Sequence, residues 1–454
     1  MGQTPARTSR AGSLLRNGGH GHQLESSALD AEDRRELTER VGSLAERFGA
    51  AGHRFYLVGG LVRDLLLGHG IDADIDITTD ALPNRIAELT AGWADVIWDQ
   101  GREFGTIGAR RGDTTVEITT HRAESYDQDS RKPHVRFSDD ITIDLSRRDF
   151  TVNAMAIELP GWTLLDPFGG RTDLASGVLR TPSEPVGLFS DDPLRMLRAA
   201  RFCARLDLEP TPDLVAAVRS TRPRLNIVSK ERIAGELTKL LELPRPSAGV
   251  AFLEHTGLLG DLLPPWSVAP DGAHGAARLE VPTAALDAVD AEVGLRWAVL
   301  LGPVCSTADR AAACLAALRI RKHTIGRVTA ILGTVAALEA ALEDAGRTVP
   351  PTSARRLVAR HADALTAAAS ALTAWGQPLP PASVAVLREI EATEGEALRK
   401  LPVDGHRVMT LLDCSGPMVG EALSWLTGQQ IERGPLDEAT ACELLTDWVS
   451  RRDC

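Results

Sequence analysis

The segment that most limits what this chain can become is GGLVRDLLLG, residues 59–68, set between RFYLV (54–58) and DIDITT (74–79). RFYLV is a short β-rich run, the paired glycines are a turn, and the leucine-rich stretch after them reads as a helix. DIDITT alternates carboxylate and isoleucine, as a strand with two unlike faces does. Asp74 and Asp76 lie two apart, so both side chains leave one face of that strand. Adjacent carboxylates repel each other unless a cation joins them. A divalent metal is the natural partner, and Mg²⁺ typically binds through one or two carboxylates plus substrate phosphates. Gly59 and Gly60 let the backbone approach a phosphate closely at a helix start, and Arg63 adds positive charge there. A lone Asp-x-Asp is as often a solvated acidic turn. The glycine turn, Arg63 and the acid pair together point to a nucleotide and its metal. Asp72 is in phase with the pair but nearer the loop, and is read as a neighbour. Glu117, in VEITTHR on a later strand, is either a third carboxylate for two-metal chemistry or a surface residue of a hairpin.

The rest of the N-terminal part supports an α/β reading. The spacing of Leu37, Val41, Leu44 and Phe48 predicts a helix over 29–49. A helix is expected at 83–90, and strands at 95–98, 105–110 and 115–120, with Gly112-Asp113 turning the last hairpin. From Asp192 onward no strand is expected: LRMLRAARFCARL and SKERIAGELTKLLEL are amphipathic, and 305–345 and 354–376 are alanine-rich and helical in pattern. Residues 1–26 are rich in Gly, Ser, Arg and Thr without periodicity and read as a flexible tail, in which His20 and His22 are loose histidines. No apolar run reaches the roughly 18 residues that span a bilayer, and the N-terminus lacks the apolar core of a signal peptide. The six cysteines form no CxxC pair, which suits a reduced, cytoplasmic protein without a zinc knuckle.

Six blocks together resemble the tRNA nucleotidyltransferase and poly(A) polymerase family, in particular the bacterial-type (class II) CCA-adding enzymes. They are LVGGLVRDLLLG with DIDITTDA, FGTIGARR with VEITTHRAESY, RKPHVRFSDDITIDLSRRDFTVNAMAI, LLDPFGGRTDL, DDPLRMLRAARFCARL and SKERIAGEL, in the family's order over roughly residues 54–240. The resemblance implies an α+β nucleotidyltransferase head of the polymerase-beta-like kind with a mixed sheet, followed by an all-α neck, body and tail. The corresponding boundaries are 1–26 tail, 27–180 catalytic head, 181–245 neck for base recognition and RNA binding, and 246–454 body and tail. It implies Asp74 and Asp76 as metal ligands and Gly60 and Arg63 at the triphosphate; Gly59 joins that turn and Glu117 the candidate catalytic set on the reading of the residues given above. It implies Arg148, Asp149 and Asn153 at the nucleotide and its ribose, and Asp192, Arg195, Arg198 and Arg201 on the recognition helix. Asp191 stands where the family's EDxxR has glutamate.

The Asp192/Arg195 spacing has its own chemistry. Residues i and i+3 share a helix face, and a carboxylate beside an arginine matches the amine donor and ring acceptor that cytosine and adenine share. Uracil and guanine would leave both groups mispaired, which can discriminate strongly. An ordinary charged stripe of arginines is the alternative for the helix taken alone.

The C-terminal half carries less. Relatives often have a His-Asp phosphohydrolase motif after the neck; here Gly302-Pro303 stands at that place and no His-Asp dipeptide occurs in the chain. The region reads as a helical tail gripping RNA, a degenerate scaffold of that kind, or packing support. The implied activity is CCA addition to tRNA from CTP and ATP with Mg²⁺; a poly(A) polymerase, a partial CC- or A-adding enzyme, and a non-catalytic RNA-binding protein are the alternatives. Adenylation of a small molecule would not require the RRDFT block or the arginine helix. The formal charge of −12 excludes indiscriminate RNA binding better than it excludes RNA. Residues 246–454 hold 18 basic and 25 acidic side chains, whereas 186–245 hold 11 and 8, a local basic excess.

Overall fold

The computed structural model describes residues 30–71, 74–125, 134–264, 283–305, 307–345 and 348–451. The expected tail with His20 and His22, together with Asp72 and Cys454, lies outside these residues. The chain forms two compact units, residues 1–232 with 255–258, and residues 233–254 with 259–454.

The first unit is built on a mixed seven-stranded sheet. Its strands are β1 (Tyr56–Val58), β2 (Asp74–Thr79), β3 (Val96–Trp98), β4 (Thr106–Arg111), β5 (Thr114–Thr120), β8 (Ala156–Glu158) and β9 (Thr163–Leu165), in the order β3-β4-β5-β2-β1-β8-β9. β6 (Arg122–Ser125) and β7 (His134–Phe137) form a separate antiparallel ribbon. β2 and β5 run parallel, pairing Asp76 with Glu117, while β4 and β5 form the expected hairpin. Alternation along β2, β4 and β5 sends Ile75, Ile77, Ile107, Ala109, Val116 and Ile118 into one core. Leu44, Phe48 and Ile86, from the helices below, complete it. Each such aliphatic side chain contributes roughly 1.5–3 kcal/mol when fully buried. On the other face, Tyr56, Val58 and Ala156 are covered by Ile141 and Leu145 of helix Ile141–Ser146. That cover lies over β1 and β8, and it is on this second face that Asp74, Asp76 and Glu117 stand, exposed.

Helix Pro83–Thr90 and strand Asp74–Thr79 form where the patterns place them. The helix expected at 29–49 is interrupted by a π-turn at Thr38–Gly42. Strand structure does not end before Asp192: β10 (Val178–Leu179) pairs in parallel with β11 (Glu209–Pro210). A two-residue strand carries no periodicity, so the sequence pattern could not reveal it.

The second unit is helical. Helices Ala308–Ala317, Lys322–Ala345, Pro351–Ala374 and Pro381–Leu398 account for the alanine-rich stretches. A C-terminal cluster packs Val403, Val408, Ala422, Leu426, Ala441 and Leu445 together. The segment Lys322–Asp344 is long and apolar enough by length and composition to cross a bilayer, with mean hydropathy 1.5. Arg327 and Glu339 break it into shorter apolar runs, so no run of that length shows in the sequence. Val328, Ile331 and Leu338 from this segment are buried in the unit's interior. The Trp375 ring fills the space a Gly302 side chain would take, 2.4 Å from a Cβ there. Its indole N–H donates to the Val299 carbonyl at 3.0 Å. Among the described residues Cys203, Cys305, Cys314, Cys414 and Cys442 are free thiols. Burial pushes the Cys203 thiol to about 12 and the Cys314 thiol to about 11, so neither is reactive.

Candidate active site

The acid pair sits at the start of β2, where the strand's exposed positions fall. Although open to solvent, Asp76 is crowded by enough protein to raise its carboxyl above the ordinary value, and Asp74 adds to this while Arg148 opposes it. Glu117, opposite Asp76 in the parallel ladder, is raised by its surroundings, then by Asp76 and Asp74. Asp74 thus adds to the raised carboxyls of both Asp76 and Glu117, a repulsion that binding a cation relieves. The donor set of Asp74 and Asp76, all oxygen and both anionic, suits a divalent cation. Among the described residues no three His, Cys, Asp or Glu side chains gather closely enough to hold an ion by themselves. A metal here therefore needs ligands from a substrate, as the hard cations often do.

Gly59 follows β1 with φ +75° and ψ −137°, a conformation open to glycine and strained for other residues. A Cβ there would come within 3.1 Å of an Arg148 terminal nitrogen and 3.6 Å of an Asp76 oxygen. Glycine thus lets the turn, the arginine and the metal-type carboxylate converge. Helix Gly60–Leu66 starts at the next residue.

Arg148 is aimed by Asp144, which the sequence did not single out. Asp144 is fully buried and accepts from Arg147 at 2.7 Å and from Arg148 at 3.3 Å. Burial works against its charge, but the two arginines win and hold its carboxyl below the ordinary range. The i, i+3 and i, i+4 spacing of Asp144, Arg147 and Arg148 was the signal available for it. The Nε of Arg148 is buried without a hydrogen-bond partner, a donor that an anionic ligand would satisfy.

Arg63 is placed away from solvent. Its guanidinium donates to both Asp64 oxygens, at 2.9 and 2.8 Å, and to Asn153 Oδ1 at 2.5 Å. Arg205 joins Asp64 at 3.3 Å. Asn153 donates in turn to Asp149 Oδ1 at 2.9 Å, and Arg198 donates to Asp149 Oδ2 through Nε at 2.8 Å and through a terminal nitrogen. The Phe202 ring lies beneath Arg63, Arg198 and Arg201, 5.4–5.9 Å from their guanidinium carbons. Asp149 is buried, which disfavours its charge, yet Arg198, Asn153 and Arg195 together hold its pKa below the ordinary value. One connected chain of hydrogen bonds and ion pairs therefore runs Arg205–Asp64–Arg63–Asn153–Asp149–Arg198. It ties the glycine-turn helix to the RRDFTVN segment and to helix Leu194–Leu206. Asp64 and Arg205 are members that sequence spacing could not reveal.

Asp192 does not share a continuous helix with Arg195. Pro193 disfavours helical backbone in the residue before it, and Asp192 is extended, φ −132°, between helices Pro185–Asp191 and Leu194–Leu206. Its carboxylate accepts from the Leu194 N–H at 3.3 Å and lies 3.6 Å from Arg232. The Arg195 guanidinium is buried and donates to the carbonyls of Leu188 at 3.2 Å and Arg147 at 2.7 Å. Two of its five N–H groups are thereby fixed, which sets the plane of the rest.

The chain is similar to known proteins in sequence and in fold. The family described as the poly A polymerase head domain matches residues 55–180, and the probable RNA and SrmB-binding site of polymerase A matches residues 207–269. A CCA-adding enzyme of Geobacillus thermodenitrificans (strain NG80-2) is 33% identical over 82% of this chain and 87% of its own length. One from Geobacillus sp. (strain WCH70) is 40% identical over 46% of this chain, a match spanning 50% of that relative's length. The crystal structure of Bacillus stearothermophilus CCA-adding enzyme in complex with CTP superposes with TM-score 0.68 at 26% identity, covering 92% of this chain and 98% of the other.

Proposed function

The chain belongs to the family of CCA-adding enzymes, among the tRNA nucleotidyltransferases and poly(A) polymerases, and from that premise we propose that it completes the CCA end of tRNA from CTP and ATP in the cytoplasm. The observation that carries this is the match to a CCA-adding enzyme along 82% of the chain, joined to an intact acid pair beside a glycine turn.

In the reaction, the oxygen of the RNA 3′-hydroxyl attacks the α-phosphorus of the nucleotide. A new P–O bond forms, the bond to the bridging oxygen of the β-phosphate breaks, and pyrophosphate leaves. Mg²⁺, held by Asp74 and Asp76, would supply positive charge for the α-phosphate and the leaving group. Glu117, the carboxylate paired with Asp76, accepts the hydroxyl proton as the new bond forms and returns it to solvent. Gly59 and Gly60 give the triphosphate access to backbone N–H groups. Arg148, anchored by Asp144 and with a free Nε, binds a phosphate oxygen next to Asp76. Arg63, Asp149 and Asn153 act as a brace, fixing the glycine turn against the helix that carries Arg198 and Arg201. Asp192 accepts from the exocyclic amine of cytosine or adenine, and Arg195 donates to the ring nitrogen, its plane set by the two carbonyls.

The test is incubation with tRNA ending before CCA, tRNA ending in CC, and an unrelated RNA, each with labelled CTP or ATP. The expected result is completion of CCA on tRNA alone, followed by arrest. Long adenylate tails on any RNA would make it a poly(A) polymerase, and RNA binding without incorporation would make it a binding protein.

A further inference from the structure

The face of the sheet that carries the acids continues beyond them, and its other positions are not explained by nucleotide binding. Asp76 pairs with Glu117, Glu117 with Gly108, and Gly108 with Trp98, so the four form one row across β2, β5, β4 and β3. Residues directly opposite across strands share a face. A Cβ on Gly108 would lie 2.0 Å from Cε2 and 2.1 Å from Nε1 of Trp98. The indole therefore occupies the place of a Gly108 side chain, and glycine is what admits it. The next row runs Asp74, Thr115, Arg110 and Val96. Arg110 is exposed, Val96 is 44% exposed, and among the described residues Arg110 has no ion pair. With strands about 4.8 Å apart, Gly108 and Arg110 stand roughly 10 Å from the acid pair.

On the other side of β2 lie β1, Gly59 and Arg148. The carboxylates are thus flanked by a phosphate-type turn on one side and by an indole with an exposed arginine on the other. An aromatic ring beside a cation is the footprint of single-stranded nucleic acid: bases stack on the ring whatever their identity, and the cation follows the backbone. Resting on the function proposed above, we infer that Trp98 and Arg110 receive the single-stranded 3′ end of the RNA. Trp98 stacks one of its last bases and Arg110 meets a backbone phosphate, which delivers the 3′-hydroxyl to Asp74 and Asp76 from the side opposite the triphosphate. A stacking plate reads no base edge, so it accommodates an end whose terminal base changes with each addition.

The experiment measures kcat and KM for tRNA and for CTP in the wild type, Trp98→Ala, Trp98→Phe, Gly108→Val and Arg110→Ala, each checked for folding by circular dichroism. A parallel arm titrates each protein into an RNA whose last base is 2-aminopurine, which loses fluorescence on stacking. Trp98→Ala is expected to raise KM for tRNA about 10-fold while KM for CTP stays within about twofold, and to abolish the quenching. Trp98→Phe keeps both. Gly108→Val, which retains the indole but evicts it, behaves like Trp98→Ala. Arg110→Ala lowers the salt slope of RNA binding by about one. An unchanged KM for tRNA in Trp98→Ala, equal losses in Trp98→Ala and Trp98→Phe, or a rise in KM for CTP instead would overturn the inference. If the wild type adds no nucleotide to any RNA, the proposed function fails, and the quenching arm decides this inference alone: Trp98-dependent quenching keeps it, and no quenching removes it.

Discussion

In the first unit the buried Asp64, Arg63, Asn153 and Asp149 are wired to one another between the more exposed Arg205 and Arg198, and Asp144 holds two more arginines beside them. In the second unit the interior is filled by side chains such as Leu315, Leu338, Ala364, Ala368, Ala371 and Leu372. Its buried arginine, Arg296, donates to the backbone carbonyls of Leu241, Leu243 and Pro244. The contrast separates two ways of using burial. Apolar packing tolerates substitution if volume is kept. A buried ionic chain is no cheap source of stability, because desolvation offsets much of the attraction. What it gives the first unit is fixed direction: each guanidinium around the turn has one orientation. The pattern suits a site that must aim donors at phosphate, whereas apolar packing of the second kind holds a shape.

The sharpest way to break this comparison is to remove a group that belongs to the chemistry and to no packing contact. Asp76→Ala is expected to lower nucleotide incorporation by at least about 1000-fold, roughly 4 kcal/mol of transition-state stabilisation. Thermal stability should stay unchanged or rise, since the variant also relieves repulsion from Asp74 and Glu117. A large loss of stability would mean that Asp76 belongs to the brace.

Next in size are substitutions that set the two kinds of interior against each other. Asp149→Ala leaves Arg198 and Asn153 without their shared acceptor, and breaking a buried pair costs about 3–5 kcal/mol. Arg198 is 34% exposed, so the lower end of that range is expected. Leu338→Ala in the second unit opens a cavity and costs about 2–5 kcal/mol. The pair differ in what rescues them: Leu338→Met should recover most of the stability, whereas Asp149→Asn, nearly isosteric, should not. Urea melts of the four variants check this, and rescue by Asp149→Asn would show the ionic chain to be mere packing.

How much of this was legible in the chain follows the same division. Strand Asp74–Thr79, helix Pro83–Thr90 and helix Leu194–Leu206 each carry their own periodicity, and they appear where the pattern puts them. β8, β9, β10 and β11 are two or three residues long and have none. Among the site residues, the acids, Gly59 and Arg148 converge as their motifs imply. The brace was not visible, because Arg205 and Asp64 are 141 positions apart and nothing local encodes their meeting. Asp192 shows a subtler limit. Its spacing from Arg195 reads as a helix face, but Pro193 takes Asp192 out of the helix.

Acid should act on the first unit before the second. Asp144 and Asp149 are held below their ordinary carboxyl range in the folded protein by Arg147, Arg148 and Arg198, against the effect of burial. A depressed carboxyl contributes stability that is complete above its unfolded value, about 3.9. That contribution is lost as the pH falls from there through the folded-state value. Hydrogen exchange below about pH 4 should therefore accelerate first in residues 141–158, and later in the alanine-rich helices. The reverse order would remove the ionic chain as the feature that distinguishes the first unit.

The smallest effect is expected where the bond geometry is good but the pair is partly exposed. Arg327 donates to both oxygens of Glu292, at 2.6 and 3.1 Å, distances as short as those around Asp64. The two side chains are 31% and 40% exposed, however, so water and salt screen the pair. Exposed pairs of this kind are worth about 0–1 kcal/mol. Glu292→Gln, which keeps the shape and removes the charge, is therefore expected to cost under about 1 kcal/mol and to lose even that at about 1 M salt. Asp64→Asn, against an equally close arginine that is 3% exposed, should keep most of its larger cost at the same salt. Chemical denaturation of both variants at low and high salt measures the difference. Equal costs would mean that burial, rather than bond length, has been given too much weight in separating the two units.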